Sequence, residues 1–145
     1  RGVTEPQPAF SACYGAAFLM LHPTKYSSVL SKKMKASNSK VFLVNTGWNG
    51  KGDRISLKDT RLIIDAILND ELDNIETEVI PHFNLAIPKN LKSISSNVID
   101  PRKSWNTNAE WETKAKELAQ LFIKNFQKFC DNDHGKKLLA SGPQL

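Results

Sequence analysis

The segment Val44–Thr60 has the residue types and spacing best suited to chemistry. It contains a glycine-rich loop, Asn45–Asp53, followed closely by Ser56, a residue well suited to begin a helix. Gly47, Gly50 and Gly52 can adopt left-handed conformations and leave backbone amides open, and the helix N-terminus after Ser56 attracts anions. The segment lacks the Gly-Lys-Ser/Thr ending of a P-loop and the Gly-x-Gly-x-x-Gly of dinucleotide-binding proteins. On spacing alone, the loop is either a nucleotide contact or a plain connection between two elements.

The reactive side chains elsewhere do not form a recognisable centre. Cys13 and Cys130 are far apart in the sequence, and reduced thiols are the simpler expectation. The histidines His22, His82 and His134 show none of the spacing to cysteines that is typical of a zinc site. No serine, cysteine or threonine lies in a nucleophile-elbow or cysteine-protease signature. We therefore expect no catalytic residue and no metal ligand in this chain.

Alternating strands and helices are predicted to position the loop. The small, apolar segment Ala12–Leu21 is expected to be a strand or a buried turn. Pro23 suits the first turn of a helix whose apolar spacing extends to about Ala36. The short apolar run Val41–Val44 is typical of a buried strand, and the glycine-rich loop follows it directly.

After the loop, a helix capped by Ser56 is predicted to end near Asn69. Asp59 can help to satisfy the free amide groups of its first turn and favours the positive end of the helix dipole. The alternation in Ile75–Ile80 is weakly typical of a strand. The proline-containing stretch Pro81–Trp105 is predicted to be extended and irregular.

The last part of the sequence contains the clearest helix. Thr107 and Glu110 have capping-box spacing, and apolar residues then recur every three or four positions as far as Phe129. We interpret this stripe as core rather than as part of a cofactor site. A short helical turn is expected around Lys136–Ala140. The strands and helices together predict a mixed α/β fold with a long amphipathic helix near the C-terminus.

Length and composition limit the class of protein. The 145 residues carry 20 basic and 15 acidic side chains, a net charge of +5, and 40% of them are hydrophobic. These values are ordinary for a globular domain and exclude a disordered or collagen-like protein. No apolar run reaches the roughly 18 residues of a membrane-spanning helix. Because aromatic residues are not interleaved with the lysines, a solvated basic surface is favoured, and a nucleic-acid binder is the weaker hypothesis.

Longer stretches of the sequence resemble one enzyme family. The segment Asn45–Arg61 is similar to the C-terminal nucleotide-binding part of ATP-dependent phosphoenolpyruvate carboxykinase, and so is the opening, Arg1–Pro6 leading to Phe10–Phe18. The similarity continues through Leu21–Tyr26, Pro88, Asp100–Arg102, Leu121–Phe126 and the terminal Gly142-Pro143. Because the chain also begins with Arg rather than Met, the resemblance implies that residues 1–145 are the C-terminal part of the nucleotide-binding domain of a longer enzyme.

The resemblance implies a reaction and a binding site. Members of the family convert oxaloacetate and ATP to phosphoenolpyruvate, CO₂ and ADP, in gluconeogenesis or, in some bacteria, in CO₂ fixation. Their P-loop, metal ligands and oxaloacetate-binding arginines lie upstream, so Mn²⁺ and Mg²⁺ would act in the full enzyme without ligands from this chain. Arg54 and Ile55 match the family's nucleotide-contacting Arg-Ile pair, and Thr60 matches its nucleotide-contacting Thr. The resemblance therefore implies that these three residues bind the adenosine end of ATP.

Two positions depart from the family pattern. Asp53 stands where a Lys commonly precedes the Arg, and Tyr14 stands where Phe is usual. An acidic residue at position 53 lies close to a polyanionic ligand and changes the electrostatics of the pocket. The exchange of Phe for Tyr is close to neutral for a packed ring.

Two functions of different classes follow. The first is a portion of a cytoplasmic, monomeric carboxykinase that uses ATP and oxaloacetate, contacts the remainder of the enzyme chain, binds neither nucleic acid nor membrane, and is inactive alone. The second is a non-enzymatic nucleotide-binding or regulatory module that has kept the nucleotide-facing part of the fold. An upstream Gly-x-x-x-x-Gly-Lys-Thr in the same reading frame would favour the enzyme.

Overall fold

The computed structural model describes residues 9–145, and the predicted Arg1–Pro6 motif lies outside this range. The described chain divides into two units. The first contains residues 9–42 and Leu121–Gly142, and the second contains Leu43–Gln120 and Pro143–Leu145. Five α-helices and one two-stranded sheet form the described part.

Helix α1, Pro23–Ser37, belongs to the first unit. Proline occupies its first turn, and the ring Nδ1 of His22 accepts a hydrogen bond from the Thr24 amide at 3.4 Å. The helix ends at Ser37 and is capped by Asn38, whose φ of 50° is left-handed. These caps confirm the predicted helix, with its end one residue beyond Ala36.

Helix α5, Asp133–Leu138, is joined to the start of α1 by one asparagine. The side-chain oxygen of Asn132 accepts from the Gly135 amide at 2.9 Å, and its Nδ2 donates to the Thr24 hydroxyl at 3.3 Å. The sequence correctly predicted a short helix here, and the structure begins it three residues before Lys136 and ends it before Ala140.

The prediction for Ala12–Leu21 is wrong. This segment forms two short 3₁₀ turns, Ala12–Tyr14 and Ala16–Phe18, and it is neither a strand nor buried. Tyr14, Phe18 and Met20 are 88%, 87% and 90% exposed. Positive φ angles at Cys13 and Tyr14, 49° and 61°, interrupt an extended strand.

The predicted buried strand at Val41–Val44 is also absent. The run has no regular secondary structure, and Val41 and Leu43 are exposed. A strand requires hydrogen bonds to a neighbouring strand, and none of the described residues pairs with this run. An apolar, β-branched composition alone is therefore not sufficient to form a strand here.

Helix α2, Leu57–Leu68, begins in the second unit directly after the glycine-rich loop. The Ser56 hydroxyl oxygen accepts from the Asp59 amide at 3.0 Å, as the N-cap prediction requires. The same hydroxyl donates to the Asp59 carboxylate at 2.7 Å, so this carboxylate supports the cap through the serine hydroxyl. The helix ends at the predicted Asn69.

The only sheet among the described residues is an antiparallel hairpin. Strand β1, Thr77–Ile80, pairs with β2, Leu85–Pro88, with Ile80 opposite Leu85. His82 and Asn84 have left-handed φ angles in the connecting turn. The structure confirms the strand predicted before Pro81.

The stretch Pro81–Trp105 is more regular than predicted. Besides β2, it contains a short helix α3, Ser96–Ile99, and a 3₁₀ turn, Pro101–Ser104. The prolines misled the prediction because Pro88 ends a strand of a two-stranded sheet, where a missing amide donor is tolerated.

Helix α4, Asn108–Phe126, is the predicted long helix, and it continues as a 3₁₀ turn through Phe129. The Thr107 hydroxyl accepts from the Glu110 amide at 3.2 Å. In the second unit, Trp111 and Ala115 of α4 form a core with Ile80, against which three half-buried side chains pack: Phe83, Ile87 and Trp105. Toward the end of the helix, Leu121 and Phe122 are exposed, so the apolar stripe is only partly core.

These elements confirm the predicted mixture of helices with a few strands. No helix within residues 9–145 is long and apolar enough to span a membrane.

Candidate functional site

The glycine-rich loop folds as a hairpin that brings Trp48 opposite Arg54. The Asn49 amide donates to the Asp53 carbonyl at 2.8 Å, and the Ile55 amide donates to the Gly47 carbonyl at 2.9 Å. These two bonds flank an antiparallel bridge between Trp48 and Arg54. Directly opposite residues of an antiparallel pair project their side chains to the same face.

Arg54 is held over an aromatic ring as a consequence of this pairing. Its guanidinium carbon lies 5.6 Å from the centroid of the Trp48 ring, within the range of a cation–π interaction. Both side chains are solvent-accessible, and Trp48 is 47% exposed. The hairpin therefore presents one cation and one aromatic face to a ligand.

The backbone amides of the hairpin are largely used within it. The side-chain oxygen of Asn49 accepts from the amides of Lys51 at 3.0 Å and Asp53 at 2.9 Å. The Gly47 amide donates to the Asn45 side-chain oxygen at 2.9 Å, and the Gly52 amide donates to the Asn49 carbonyl at 3.1 Å. The expectation that Gly47 and Gly52 leave open amides is therefore wrong, and the loop does not have the free donors of a phosphate-binding loop.

Asp53, the departure from the family pattern, stabilises the same hairpin. Its carboxylate accepts a hydrogen bond from the side-chain amide of Asn49 at 3.2 Å. The Asp53 side chain is thus hydrogen-bonded to the turn that directly precedes Arg54.

Ile55 and Thr60 lie apart from the paired face of the hairpin. Ile55 is half-buried, and side chains of successive extended residues point to opposite sides, so it faces away from Trp48. Thr60 lies half-buried in the first turn of α2, where its amide donates to the Ser56 carbonyl at 3.0 Å. Within residues 9–145, no hydrogen bond joins Thr60 to Arg54 or Ile55. The structure thus brings Arg54 to Trp48 and places Thr60 in a separate element, helix α2.

Sequence reasoning missed two tryptophans that contact the hairpin. Trp48 is the direct partner of Arg54, and Trp105 lies against the hairpin at Gly50. An Asn-Gly pair between residues of strand-like type is a hairpin signal, so Asn49-Gly50 indicates a turn in this loop. A two-residue turn at this pair would place Trp48 opposite Lys51, so it does not predict the observed pairing of Trp48 with Arg54. Nothing local in the sequence indicates the contact with Trp105.

A second cluster in the same unit is an ion pair. The Arg102 guanidinium donates to both Asp100 oxygens at 2.9 and 3.0 Å, and to Glu78 of β1 at 2.7 Å. Burial raises the pKa of Asp100, but the hydrogen bonds from Arg102 outweigh it and hold that pKa below the usual value. The hydrogen bond from Arg102 also lowers the pKa of Glu78. The charge of Arg102 is thus neutralised by two carboxylates, and its hydrogen bonds join β1 to the 3₁₀ turn Pro101–Ser104.

A groove of about 690 Å³ lies beside this ion pair, at the start of α4. Its lining includes Arg102, Lys103, Trp105 and Trp111. His82 forms part of the same region: its Nε2 lies 2.9 Å from the Glu112 carboxylate, and its ring stacks on Trp111. The hydrogen bond from His82 lowers the pKa of Glu112.

The donor set of the described residues does not fit a metal ion. Residues 9–145 contain no group of three or more His, Cys, Asp and Glu side chains that could hold one. Cys13 and Cys130 are free thiols. The Trp48–Arg54 face, by contrast, fits a planar, electron-rich group such as a nucleotide base.

A comparison of the sequence with known families identifies the family of this chain. The sequence model of the family described as phosphoenolpyruvate carboxykinase, in its ATP-dependent form, matches residues 1–97. The match includes the whole hairpin, α2 and the β1–β2 sheet. It extends over more than half of the 145 residues. The chain therefore belongs to the ATP-dependent phosphoenolpyruvate carboxykinase family.

Proposed function

We propose that this chain is the C-terminal portion of a longer ATP-dependent carboxykinase and supplies the adenosine end of its ATP site. In this proposal the Arg54 guanidinium lies against adenine, and Ile55 and Thr60 complete the contact. The observation that carries it is the exposed Arg54 guanidinium held 5.6 Å from the Trp48 ring. A planar cation on an aromatic support is well suited to stack on a base.

The hairpin is better suited to the base than to the phosphates. Its amides at Gly47, Lys51, Gly52 and Asp53 already have acceptors within the hairpin. The carboxylate of Asp53 would also repel a triphosphate. Both features support a role at the uncharged end of ATP.

The remainder of the enzyme would cover apolar surface that is exposed in the first unit. Tyr14, Phe18 and Met20 lie within eight residues of one another and are almost fully exposed. Exposed apolar clusters of this kind usually bind another surface. The proposed partner is the preceding part of the same enzyme, which would also bind oxaloacetate.

The 145 residues alone are proposed to be catalytically inactive. Phosphoryl transfer requires metal ions and cationic side chains that bind the transferred phosphate. The donor set of residues 9–145 does not fit a metal ion. Conversion of oxaloacetate to phosphoenolpyruvate by the purified 145-residue chain would contradict this part of the proposal.

The test of the site is Arg54→Ala in the intact carboxykinase, expressed from the reading frame that encodes this chain. This variant loses the proposed contact between the guanidinium and adenine, a cation–π contact of about 1.4 kcal/mol, so the KM for ATP should rise about 10-fold. The KM for oxaloacetate should stay unchanged. Arg61→Ala is the matched control, because Arg61 is an exposed arginine on α2. An unchanged KM for ATP in Arg54→Ala would remove Arg54 from the site.

The reading frame itself separates the enzyme from a non-enzymatic nucleotide-binding module. A frame that encodes an upstream Gly-x-x-x-x-Gly-Lys-Thr supports the enzyme. A frame without it, together with ATP binding by its product, supports the module.

A further inference from the structure

The tip of the hairpin lies against an indole ring with no space between them. A Cβ atom at Gly50 would be 2.2 Å from Nε1 of Trp105, 2.3 Å from Cε2 and 2.6 Å from Cζ2. These distances are far below van der Waals contact. Among the described glycines only Gly52 has a left-handed φ, so Gly50 is required by space and not by backbone conformation.

Trp105 is itself fixed on the core of the second unit. Its half-buried ring packs against the cluster formed by Ile80, Trp111 and Ala115. Its amide donates to the Arg102 carbonyl at 3.3 Å. The side chain of Arg102 is in turn bound by both oxygens of Asp100.

Hydrogen bonds within the hairpin connect its tip at Gly50 with Arg54. The side chain of Asn49 binds Lys51 and Asp53, and the Trp48–Arg54 bridge closes the other end. A displacement at Gly50 is therefore transmitted to Arg54, four residues later. A shift of about 1 Å in a positioned group can cost a large part of its contribution.

We infer that Trp105 is a positioning residue of the nucleotide site: its indole holds the hairpin at Gly50 and thereby sets the location of the Arg54 guanidinium. Trp105 lies beyond the residues 1–97 that match the family model. The segment after that match thus contributes to a site whose binding residues precede it. This inference rests on the proposed function of Arg54.

The test uses Gly50→Ala in the intact enzyme. The added methyl group must displace either the indole or the hairpin, and we expect the KM for ATP to rise about 5-fold. The kcat at saturating ATP and the KM for oxaloacetate should stay within about twofold, because the reacting atoms lie elsewhere.

A second substitution identifies the partner. Trp105→Leu removes the three ring atoms that meet the methyl group and keeps an apolar side chain. Because the indole also holds the hairpin, Trp105→Leu alone should raise the KM for ATP. In the double variant Gly50→Ala/Trp105→Leu the added methyl group meets no indole, so the KM for ATP should equal that of Trp105→Leu alone. Thermal melts of each variant show how much of any effect comes from lost stability.

Gly52→Ala provides the comparison for backbone strain. Its φ of 86° disfavours alanine, but no atom lies within 4 Å of the added carbon. Any rise in KM that Gly52→Ala causes should add to that of Trp105→Leu in the double variant. If the rise caused by Gly52→Ala instead disappears in the Trp105→Leu background, the inference is overturned, because the non-additivity would then not depend on the contact at Gly50.

The outcomes separate this inference from the proposed function. A raised KM for ATP in Arg54→Ala with an unchanged one in Gly50→Ala overturns the role of Trp105 and leaves the site intact. An unchanged KM for ATP in Trp105→Leu alone, or an effect of Gly50→Ala that persists in the Trp105→Leu background, also overturns it. If Arg54→Ala has no effect, the proposed site fails first, and the role of Trp105 fails with it.

Discussion

Arg54 has an aromatic partner within its own hairpin before any nucleotide binds. Because Trp48 lies directly opposite, its ring restricts the positions that the guanidinium can adopt. A side chain ordered in advance loses less entropy when a ligand binds. Trp48 is thus expected to contribute to ATP affinity even without touching the nucleotide.

In the intact enzyme, Trp48→Ala should weaken the binding of ATP. A cation–π contact at an exposed position contributes about 0.5–1 kcal/mol, so the KM for ATP should rise about 2- to 5-fold. Trp48→Phe keeps a ring opposite Arg54 and should recover most of this loss. Equal KM values for ATP in the alanine variant and the unmodified enzyme would contradict the supporting role of Trp48.

Hydrogen bonds to the Asn49 side chain close the turn of the hairpin, and their contribution can be measured by amide hydrogen exchange. The side-chain oxygen of Asn49 accepts from the amides of Lys51 and Asp53. In Asn49→Ala these amides lose their acceptor, and their hydrogen exchange should accelerate about 5- to 10-fold, or about 1 kcal/mol. Asp53→Asn leaves both backbone bonds in place and is the control. Unchanged exchange in Asn49→Ala would show that other contacts close the loop.

The sequence alone identified Arg54 but not its surroundings. The resemblance to the family placed Arg54, Ile55 and Thr60 at a nucleotide, and the contacts with a ligand stay a prediction. The partners of Arg54 depend on pairing across the turn, to Trp48, and on a contact at long range, to Trp105. Such contacts are set by the fold of the whole unit and leave little local trace in the sequence.

At the scale of elements, the longer helices were more predictable than the strands, of which only β1 was predicted. The caps at Ser56 and Thr107 determine helix starts by hydrogen bonds within three residues. Strands need partners that are distant in sequence, and the apolar run Val41–Val44 has none among the described residues. Strand β2 was missed for the opposite reason, because its partner β1 stabilises a segment that ends in proline.

Helix α5 depends on a glycine at its third position. A Cβ atom at Gly135 would lie 1.8 Å from the Phe129 carbonyl oxygen, a backbone atom that cannot move alone. We expect Gly135→Ala to destabilise the first unit by about 2–3 kcal/mol, in the range of severe overpacking.

The measurement is the midpoint of urea unfolding, followed by tyrosine signals, because Tyr14 and Tyr26 both lie in the first unit. Gly142→Ala is the matched control, since the nearest atom would be an ordinary 3.6 Å away. Equal midpoints for the two alanine variants would contradict the proposed clash.

Arg102 lies in the 3₁₀ turn Pro101–Ser104 and donates a hydrogen bond to Glu78 of β1. Trp105 directly follows this turn. Arg102→Ala would leave the buried carboxylate of Asp100 without its cation. We expect a loss of about 2 kcal/mol, below the range for fully buried pairs because the Arg102 side chain is 22% exposed. All three tryptophans lie in this unit, so tryptophan fluorescence during urea unfolding reports the change.

The control for Arg102 is Glu78→Gln, which removes only its more exposed partner. This variant should lose much less stability than Arg102→Ala, since exposed ion pairs contribute little. A loss in Glu78→Gln as large as that in Arg102→Ala would show that β1 is held mainly by Glu78.

At the scale of the whole molecule, charge and binding are separate features. Most of the basic side chains behind the net charge of +5 are lysines. Arg54 lies over an aromatic ring, and Arg102 is bound by two carboxylates. The basic composition therefore carries little information about the ligand. The proposed nucleotide contact rests instead on the pairing of Arg54 with Trp48.

Acid should destabilise the second unit selectively. Three of its carboxyl groups, Glu78, Asp100 and Glu112, have pKa values lowered in the folded state by hydrogen bonds from Arg102 or His82. A pKa lower in the folded than in the unfolded state stabilises folding when the group is ionised. This stabilisation is complete above about pH 5, beyond the usual carboxyl range, and is lost as the pH falls through the lowered pKa values.

The urea midpoint of tryptophan fluorescence should accordingly stay constant from about pH 7 to pH 5 and fall steadily below about pH 4. In Arg102→Ala two of the three carboxyl groups, Glu78 and Asp100, lose the hydrogen bonds that lower their pKa values. The remaining pair, His82 with Glu112, should then give a shallower decline. A decline in Arg102→Ala as steep as that of the unmodified chain would show that other groups govern the acid sensitivity, because the Arg102 cluster would then contribute no pH-dependent stability.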